Sequence, residues 1–262
     1  MPFKLQTAPD YKCIWLEGPP NTGKTTSLRT LDKPMGVLSA PGEKGHSSIP
    51  YGDGVMAKVW EEDPTPSKDR NTLYYMKMWR EVEAATVEII QSKPNAIVID
   101  GVHKLYQVGL AIATDGESEK LQTAFKEVTT STGTRLEGEF DPRCYGKAHR
   151  LIWEYVNMVA SCGVPWRIFT SWSEMEKDDP SDNSKNAPSH ILPDLPGKAA
   201  RRVLGEVSIT LHSVISPKNE YMWQTKPGGK VYGAGIKGNA EMVAKVPVFI
   251  PQDFKVLEGY LK

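Results

Sequence analysis

Near its start the chain reads Gly18-Pro19-Pro20-Asn21-Thr22-Gly23-Lys24-Thr25-Thr26, directly after the apolar run Cys13-Ile14-Trp15-Leu16. The apolar run has the length of a buried strand, and a helix is predicted from Gly23 to near Leu31, where Asp32-Lys33-Pro34 ends it. The segment therefore predicts a strand, a glycine-rich loop and a helix in succession. Its spacing matches G-x-x-x-x-G-K-[ST], the pattern of a phosphate-binding loop.

In such a loop, backbone N–H groups and the positive end of the following helix surround the β-phosphate of a nucleotide. The Lys24 ammonium would reach the β- and γ-phosphates, and the Thr25 hydroxyl would hold Mg²⁺. The alternative is an ordinary glycine-rich turn, which needs neither the strand nor the helix. The predicted nucleotide-binding residues are Gly18, Asn21, Thr22, Gly23, Lys24, Thr25 and Thr26.

Length and composition fit a single α/β domain over residues 1–262. Hydrophobic residues make up 39% of the chain, which is enough for a full core. Thirty-two basic residues balance thirty-two acidic ones, so no overall field attracts nucleic acid or an anionic membrane. The three cysteines show no C-x-x-C spacing, and no apolar run has the length of a signal peptide core or a membrane helix. We therefore expect a cytoplasmic protein without membrane contact.

Two acidic residues follow predicted strands and are candidates for chemistry. A turn containing Glu43 follows the strand Met35 to Ser39, and the strand Asn95 to Ile99 ends in Asp100. Open α/β sheets bind ligands at the carboxyl ends of their strands. Asp100 would orient a Mg²⁺-bound water beside the phosphate loop, although such a residue can also merely cap the next helix. Gly101 stands where many ATPases have a catalytic acid, so Glu43 is the substitute; the alternative is a solvated loop charge.

Apolar residues at helical spacing predict three further helices, over 73–92, 102–113 and 145–162, and a strand with a polar end over 166–172. Two longer segments are predicted as mobile loops. One covers residues 114–145 and contains a single helix over 120–128. The other covers the charged and Pro-, Ser-, Asn-rich residues 174–196.

The C-terminal part alternates as strands do. Residues 203–215 and 220–225 predict a β-hairpin, and the prolines of 246–251 favour an edge strand. Before the hairpin, Lys198, Arg201 and Arg202 lie on about one helical turn, where they could contact phosphate or DNA; a solvated helix face is the alternative. The five histidines match no metal-binding spacing and are interpreted as structural: His46, His103, His149, His190 and His212.

The order of these features resembles the RecA-like ATP-binding proteins of bacteriophages, some of which act in single-strand annealing and homologous recombination. The resemblance covers roughly residues 10–255. It is carried by the phosphate loop, Glu43, Ile97-Val98-Ile99-Asp100, Phe169-Thr170-Ser171, and Leu195-Pro196-Gly197-Lys198 with the hairpin that follows. It implies a RecA-like P-loop NTPase fold, with a mainly parallel sheet flanked by helices and a C-terminal β-hairpin.

The resemblance also implies roles for particular residues. Glu43 would be the catalytic glutamate, acting with Lys24. The polar end of the 166–172 strand, Ser171 with Glu174 beyond it, would sense the γ-phosphate and couple it to a DNA-contacting loop over 174–196. The family often has a His-Glu pair there, whereas this chain has Ser173-Glu174. A cation from a neighbouring subunit would complete the active site, with these candidates: Lys198, Arg201, Arg202, Lys226 and Lys237.

The expectation is therefore an ATPase that uses ATP and Mg²⁺ and acts on single-stranded DNA in phage recombination or annealing, in the cytoplasm of a bacterial host. We expect a homo-oligomer or filament, with a single-strand-binding protein as a further partner. Two alternatives remain open. One is a nucleotide-gated DNA-binding or loading platform with little hydrolysis. The other is a P-loop kinase of a small molecule.

Overall fold

The computed structural model describes residues 12–60, 70–114, 126–130, 133–137, 142–177, 189–195, 197–228, 231 and 233–262. The strands are β1 (Cys13–Glu17), β2 (Met35–Ser39), β3 (Val55–Val59), β4 (Ala96–Asp100), β5 (Lys126–Thr130), β6 (Gly133–Glu137), β7 (Trp166–Thr170), β8 (Ser173–Lys177), β9 (Ser189–Pro193), β10 (Ile209–Ile215), β11 (Tyr221–Gln224), β12 (Gly235–Ile236) and β13 (Phe249–Pro251).

The helices are α1 (Lys24–Ser27), α2 (Thr72–Gln91), α3 (Val102–Thr114), α4 (Pro142–Ala160), α5 (Gly197–Gly205), α6 (Ala240–Lys245) and α7 (Phe254–Leu261). Short 3₁₀ turns cover Leu28–Thr30 and Gly45–Ser48. Helix α1 is thus a single turn that tightens into a 3₁₀ turn. The helix predicted after the phosphate loop is present but shorter than expected.

Strands of the described residues join into a nine-stranded, mainly parallel sheet. Its parallel part has the order β10-β1-β7-β4-β2-β3, and β11, β12 and β13 add antiparallel pairs. The predicted α/β fold is confirmed. The predicted C-terminal hairpin is confirmed as well, because β10 pairs with β11 through Ile215 and Tyr221. Strand β7 lies between β1 and β4, so the carboxyl ends of these strands are neighbours.

Both faces of the sheet are covered, as expected of a parallel sheet whose strands are apolar throughout. In β1, Cys13 and Trp15 face one side and pack with residues of α2, α3, α4 and α5. Ile14 and Leu16 face the other side and pack with Phe254 and residues near α1 and α7. The alternation follows from the two-residue period of a strand. The carboxyl edge of the sheet is left to polar residues.

Two predictions about loops are corrected by the structure. The helix predicted over 120–128 is wrong at 126–128, which belong to β5, an antiparallel partner of β6; residues 120–125 lie outside the described range. The β-branched run Val128-Thr129-Thr130 favours a strand over a helix. The loop predicted over 174–196 has a hairpin at its base, since β8 pairs with β9 from Ser173 and Pro193 onward. Residues 178–188 lie outside the described range, and mobility of either segment stays a prediction.

Near the C-terminus, the strand predicted from residue 203 begins only at Ile209, because α5 continues to Gly205. This helix buries residues at helical spacing: Ala199, Ala200 and Val203. The alternating pattern that follows in the sequence had led to the prediction of a strand there. Helices α6 and α7 were not predicted. The edge position of the proline-containing segment is confirmed, since β13 lies at the end of the sheet. None of the helices in the described ranges combines the length and the apolar composition needed to span a membrane.

Candidate nucleotide-binding and catalytic site

The phosphate loop connects the buried end of β1 to α1. Gly18 and Gly23 have φ values of +150° and +85°, which other residues rarely adopt. A Cβ at Gly23 would lie 2.7 Å from Gln252 Oε1 and 2.8 Å from Tyr221 Cδ1, so the C-terminal segment packs directly on the loop. Gln252 Nε2 also donates to the Thr22 carbonyl at 2.8 Å. A Cβ at Gly18 would lie 2.7 Å from the Ser213 carbonyl oxygen, so both glycines are required by backbone conformation and by space.

Lys24 lies within the loop that it is expected to serve. Its ammonium donates to the carbonyl oxygens of Gly18 at 2.8 Å and Pro19 at 2.7 Å. Burial lowers the pKa of Lys24 to about 8, and the carboxylates of Asp100, Glu43 and Glu17 act in the opposite direction. A buried cation thus stands among acidic groups, in a loop whose spacing matches phosphate binding.

Asp100 and Thr25 meet across the ends of β4 and α1. The Thr25 hydroxyl lies 3.1 Å from Asp100 Oδ2. The Thr170 hydroxyl, at the end of β7, donates to Asp100 Oδ1. Burial raises the pKa of Asp100, while the hydrogen bonds from Thr170 and Thr25 and the charge of Lys24 lower it. The sheet order places all of these groups beside the phosphate loop.

Glu43 reaches the same place from the loop after β2. Its Oε1 accepts from the backbone N–H groups of Lys44 and Gly45, each at 3.1 Å. Burial and the neighbouring Asp100 raise the pKa of Glu43, against the hydrogen bond from Gly45 and the charge of Lys104. Because β2 pairs with β4 with Ser39 opposite Asp100, the two acidic residues are brought together by the sheet.

Glu43, Asp100 and Thr25 all have an oxygen atom close to Gly45. A Cβ on this residue would lie 3.3 Å from Glu43 Oε1, 3.4 Å from Asp100 Oδ2 and 3.4 Å from Thr25 Oγ1. Three oxygen atoms therefore lie within 3.4 Å of one point beside Gly45. Carboxylate and hydroxyl oxygens are the donors that Mg²⁺ prefers, so Thr25 and Asp100 fit the cation.

The strand end that was predicted to sense the γ-phosphate carries two hydroxyl groups with different partners. Ser171 is fully buried, and its hydroxyl accepts a hydrogen bond from Trp15 Nε1 at 3.0 Å. Glu174 lies on β8 and is exposed. Thr170 is the residue of this strand end that contacts Asp100. The structure thus joins Thr170, not Ser171 or Glu174, to the acidic group.

The candidate cations occupy several environments. The Arg202 guanidinium stacks 4.2 Å over the Trp153 ring, and the Lys237 ammonium donates to the carbonyl oxygens of Leu204 and Gly205 at the end of α5. The Lys226 ammonium lies 3.5 Å from the Ala244 carbonyl oxygen. Arg201 is exposed, and the side chain of Lys198 lies outside the described residues. Arg202 and Lys237 thus have packing roles in their own chain.

Two polar groups near the site were missed because the sequence analysis treated every histidine as structural. His103 is buried, and its Nε2 lies 3.8 Å from Glu43 Oε2. On the other side of the loop, His212 Nδ1 lies 3.5 Å from Oε1 of the fully buried Glu17. His103 falls one turn after Asp100, and Glu17 immediately precedes Gly18. Position next to a recognised motif was the signal that could have found them.

The comparison with protein families agrees with this geometry. A family model described as an AAA domain matches residues 10–235, a range that includes the phosphate loop, Glu43, Asp100 and Thr170. The search of curated proteins finds no match. Because the family match covers most of the chain and the phosphate loop is in place, the chain belongs to the AAA domain family of P-loop ATPases.

Proposed function

We propose that this protein binds ATP and hydrolyses it, with Glu43 as the base that activates water. The observation that carries the proposal is the convergence of Glu43 Oε1, Asp100 Oδ2 and Thr25 Oγ1 around Gly45. This cluster adjoins a loop whose lysine is already buried among the same carboxylates. Nucleotide chemistry needs a phosphate cradle, a cation site and a base in one place, and the described residues supply candidates for each.

The chemistry follows from the charges of these groups. The oxygen of a water molecule forms a bond to the γ-phosphorus while the bond to the β,γ-bridging oxygen breaks, giving ADP and phosphate. Glu43 takes the proton that the water loses, and its raised pKa makes it a better proton acceptor. Lys24 stabilises the negative charge that spreads over the transferring group. Bound Mg²⁺ supplies further charge neutralisation, with Thr25 and Asp100 as the residues that would hold it.

The position of Lys24 suggests how the phosphate loop keeps its conformation before a nucleotide binds. Its ammonium satisfies two loop carbonyls that point inward, those of Gly18 and Pro19. Phosphate oxygens are stronger acceptors than carbonyl oxygens because they are charged. We expect the ammonium to shift onto the phosphates when a nucleotide enters, without a change in the loop backbone.

The proposed biological ligand is single-stranded DNA, in recombination or annealing, with a homo-oligomer or filament as the active form. The resemblance to RecA-like phage proteins supports this part, as does the hairpin β8–β9, which begins three residues after Thr170. A segment attached so close to the site can respond to the state of the nucleotide. Arg201, exposed on α5, stays a candidate for DNA or for a neighbouring subunit.

The test is phosphate release from ATP by the purified protein, with and without an oligothymidylate. We expect Mg²⁺-dependent release that the DNA stimulates and that Glu43→Gln abolishes. Release that DNA leaves unchanged would support an ATPase but contradict the DNA role. DNA binding by both proteins without release would indicate a nucleotide-gated platform. Transfer of the phosphate to a nucleoside or nucleotide in place of water would indicate a kinase.

A further inference from the structure

A buried imidazole lies between Glu43 and the hairpin β8–β9. The His103 side chain is 1% exposed, and its ring stacks on the Trp172 ring with centroids 4.6 Å apart and an interplanar angle of 29°. Its Nε2 is 3.8 Å from Glu43 Oε2 and has no hydrogen-bond partner among the described residues. A buried N–H without an acceptor costs stability, so this nitrogen calls for an explanation.

The hydrogen bond at Nδ1 of His103 indicates which ring nitrogen carries the proton. The backbone N–H of Trp172 donates to His103 Nδ1 at 3.4 Å, so Nδ1 is the acceptor. Burial, together with the charges of Lys104 and Lys24, holds the pKa of His103 well below its usual range, and the ring is neutral. A neutral imidazole that accepts at Nδ1 carries its proton on Nε2. The N–H group therefore faces Glu43.

Trp172 in turn belongs to the base of the hairpin. It directly precedes β8, and its carbonyl accepts from the Asp194 N–H at 2.8 Å, just after β9 ends. The Lys104 ammonium lies 4.9 Å from the centroid of its ring, close enough for a cation–π contact. Both ends of the hairpin thus meet at Trp172. A displacement of the hairpin would move the ring that packs on His103.

Glu43 has one carboxylate oxygen held and one oxygen that remains adjustable. The backbone N–H groups of Lys44 and Gly45 hold Oε1. Oε2 faces Gly101, where a Cβ would come within 2.9 Å, and His103 Nε2. Closing 3.8 Å to hydrogen-bond length requires a shift of about 1 Å. A small motion of the imidazole can therefore make or break a direct bond to the proposed base.

We propose that His103 is a positioning residue that links the orientation of Glu43 to the position of the β8–β9 hairpin through Trp172. The inference rests on the proposed role of Glu43. When the Nε2–H group bonds to Oε2, the carboxylate is fixed with Oε1 toward the phosphate loop. When the hairpin draws Trp172 away, the imidazole follows and the carboxylate loses that bond. The hairpin state is thereby transmitted to ATP hydrolysis without a contact between hairpin and nucleotide.

Two substitutions separate the two halves of this link. In His103→Asn the amide oxygen can occupy the position of Nδ1 and accept from Trp172, but no donor reaches Glu43. In His103→Gln the amide nitrogen can occupy the position of Nε2 and donate to Glu43, but the acceptor for Trp172 is lost. His149→Asn on α4 is the matched control for removal of an imidazole. Trp172→Phe, which keeps an aromatic ring and the backbone N–H, is the control for the stack.

The measurements are kcat and KM for ATP hydrolysis, and the fluorescence difference between the ADP-bound protein and the protein with a non-hydrolysable ATP analogue. The part of that difference absent in Trp172→Phe reports on Trp172. We expect His103→Asn to lower kcat about ten-fold or more with KM unchanged, and to keep the Trp172 signal. We expect His103→Gln to keep most of kcat and lose the Trp172 signal. Trp172→Leu should keep most of kcat, as His103→Gln does.

Three outcomes would overturn the inference: a wild-type kcat in His103→Asn, an equal loss of kcat in the Asn and Gln variants, or loss of folding in both. Each of them would mean that the imidazole serves packing alone. Glu43→Gln run alongside keeps this failure distinct from failure of the proposed function. If Glu43→Gln is inactive while His103→Asn is fully active, the base is right and the link is wrong. If Glu43→Gln hydrolyses ATP normally, both are wrong.

Discussion

The phosphate loop and the surroundings of Glu43 serve the same site but are built in opposite ways. In the loop, Lys24 bonds to the carbonyls of Gly18 and Pro19, which lie six and five residues away along the chain. Around Glu43, the bond between Trp172 and His103 joins residues 69 positions apart. A local motif keeps its chemistry wherever the sheet places it, whereas the environment of Glu43 exists only once the sheet has formed.

The largest effect is expected in the local half, from Lys24→Ala. The change removes a buried cation that lies among Asp100, Glu43 and Glu17. We expect ATP turnover to fall by about 1,000-fold or more, since a phosphate-clamping charge is lost. Phosphate release is the measurement, with Lys77→Ala, an exposed lysine on α2, as control. Turnover within ten-fold of wild type would contradict the role of the loop.

Asp100→Asn tests the residue where the two halves meet. The amide removes a charge and turns one acceptor toward Thr25 into a donor. We expect the Mg²⁺ concentration for half-maximal turnover to rise by about ten-fold or more. A titration of turnover with Mg²⁺ measures it, beside Asp32→Asn, which changes an exposed aspartate. An unchanged Mg²⁺ requirement would show that Asp100 does not hold the cation.

Gly101→Ala tests the surroundings of Glu43 without replacing a charged residue. Gly101 has φ +92°, and its added Cβ would lie 2.9 Å from Glu43 Oε2. We expect kcat to fall about ten-fold because the carboxylate is displaced, with nucleotide affinity unchanged. Gly52→Ala, where φ is +127° and nothing lies within 4 Å of the added Cβ, is the matched control. Equal kcat in the two variants would argue that the position of Glu43 is not critical.

The smallest effect concerns stability. Burial raises the pKa of Glu17 above its ordinary value of 4.5, against the opposing effects of His212 and Lys24. The folded state therefore holds this proton more tightly than the unfolded state, and the stability gained is present below pH 4.5 and lost as the pH rises through the folded-state pKa. Glu17→Gln, which carries no charge, should be more stable than wild type by about 1 kcal/mol at pH 8.

Urea unfolding at pH 5 and pH 8 measures this difference. The gap between Glu17→Gln and wild type should widen at pH 8. Glu88→Gln, with the same charge change on an exposed residue of α2, should show no such trend. An equal difference in the free energy of unfolding at both pH values would mean that the buried charge of Glu17 does not destabilise the folded protein.

The sequence could predict that the phosphate loop, Glu43 and Asp100 lie together. Each of them follows an apolar strand, and parallel strands end at one edge of a sheet. The sequence could not choose between Thr170 and Ser171. Successive residues of a strand face opposite sides, so an uncertainty of one residue decides whether the hydroxyl meets Asp100 or Trp15. Residues 174–196 were predicted as a loop from their composition. Polar residues dominate that composition because the two paired strands, β8 and β9, are short.

His103 shows most clearly what could not be predicted from the sequence. Its position three residues after Asp100 places it near the site, but the sequence does not show whether the imidazole contacts Glu43 or only packs. Its relation to Glu43 depends on the pairing of β2 with β4, and its relation to Trp172 depends on the pairing of β4 with β7. Both are properties of the sheet order. Such an arrangement becomes visible when the topology is known.

The most direct test of Glu43 as the base is a single-turnover experiment with labelled ATP on Glu43→Gln and wild type. The amide is nearly isosteric but accepts no proton at neutral pH, so nucleotide affinity should be retained. We predict that wild type converts its bound ATP to ADP and phosphate, whereas Glu43→Gln holds the nucleotide as ATP. Conversion at the wild-type rate by Glu43→Gln would contradict the assignment and move the base elsewhere in the site.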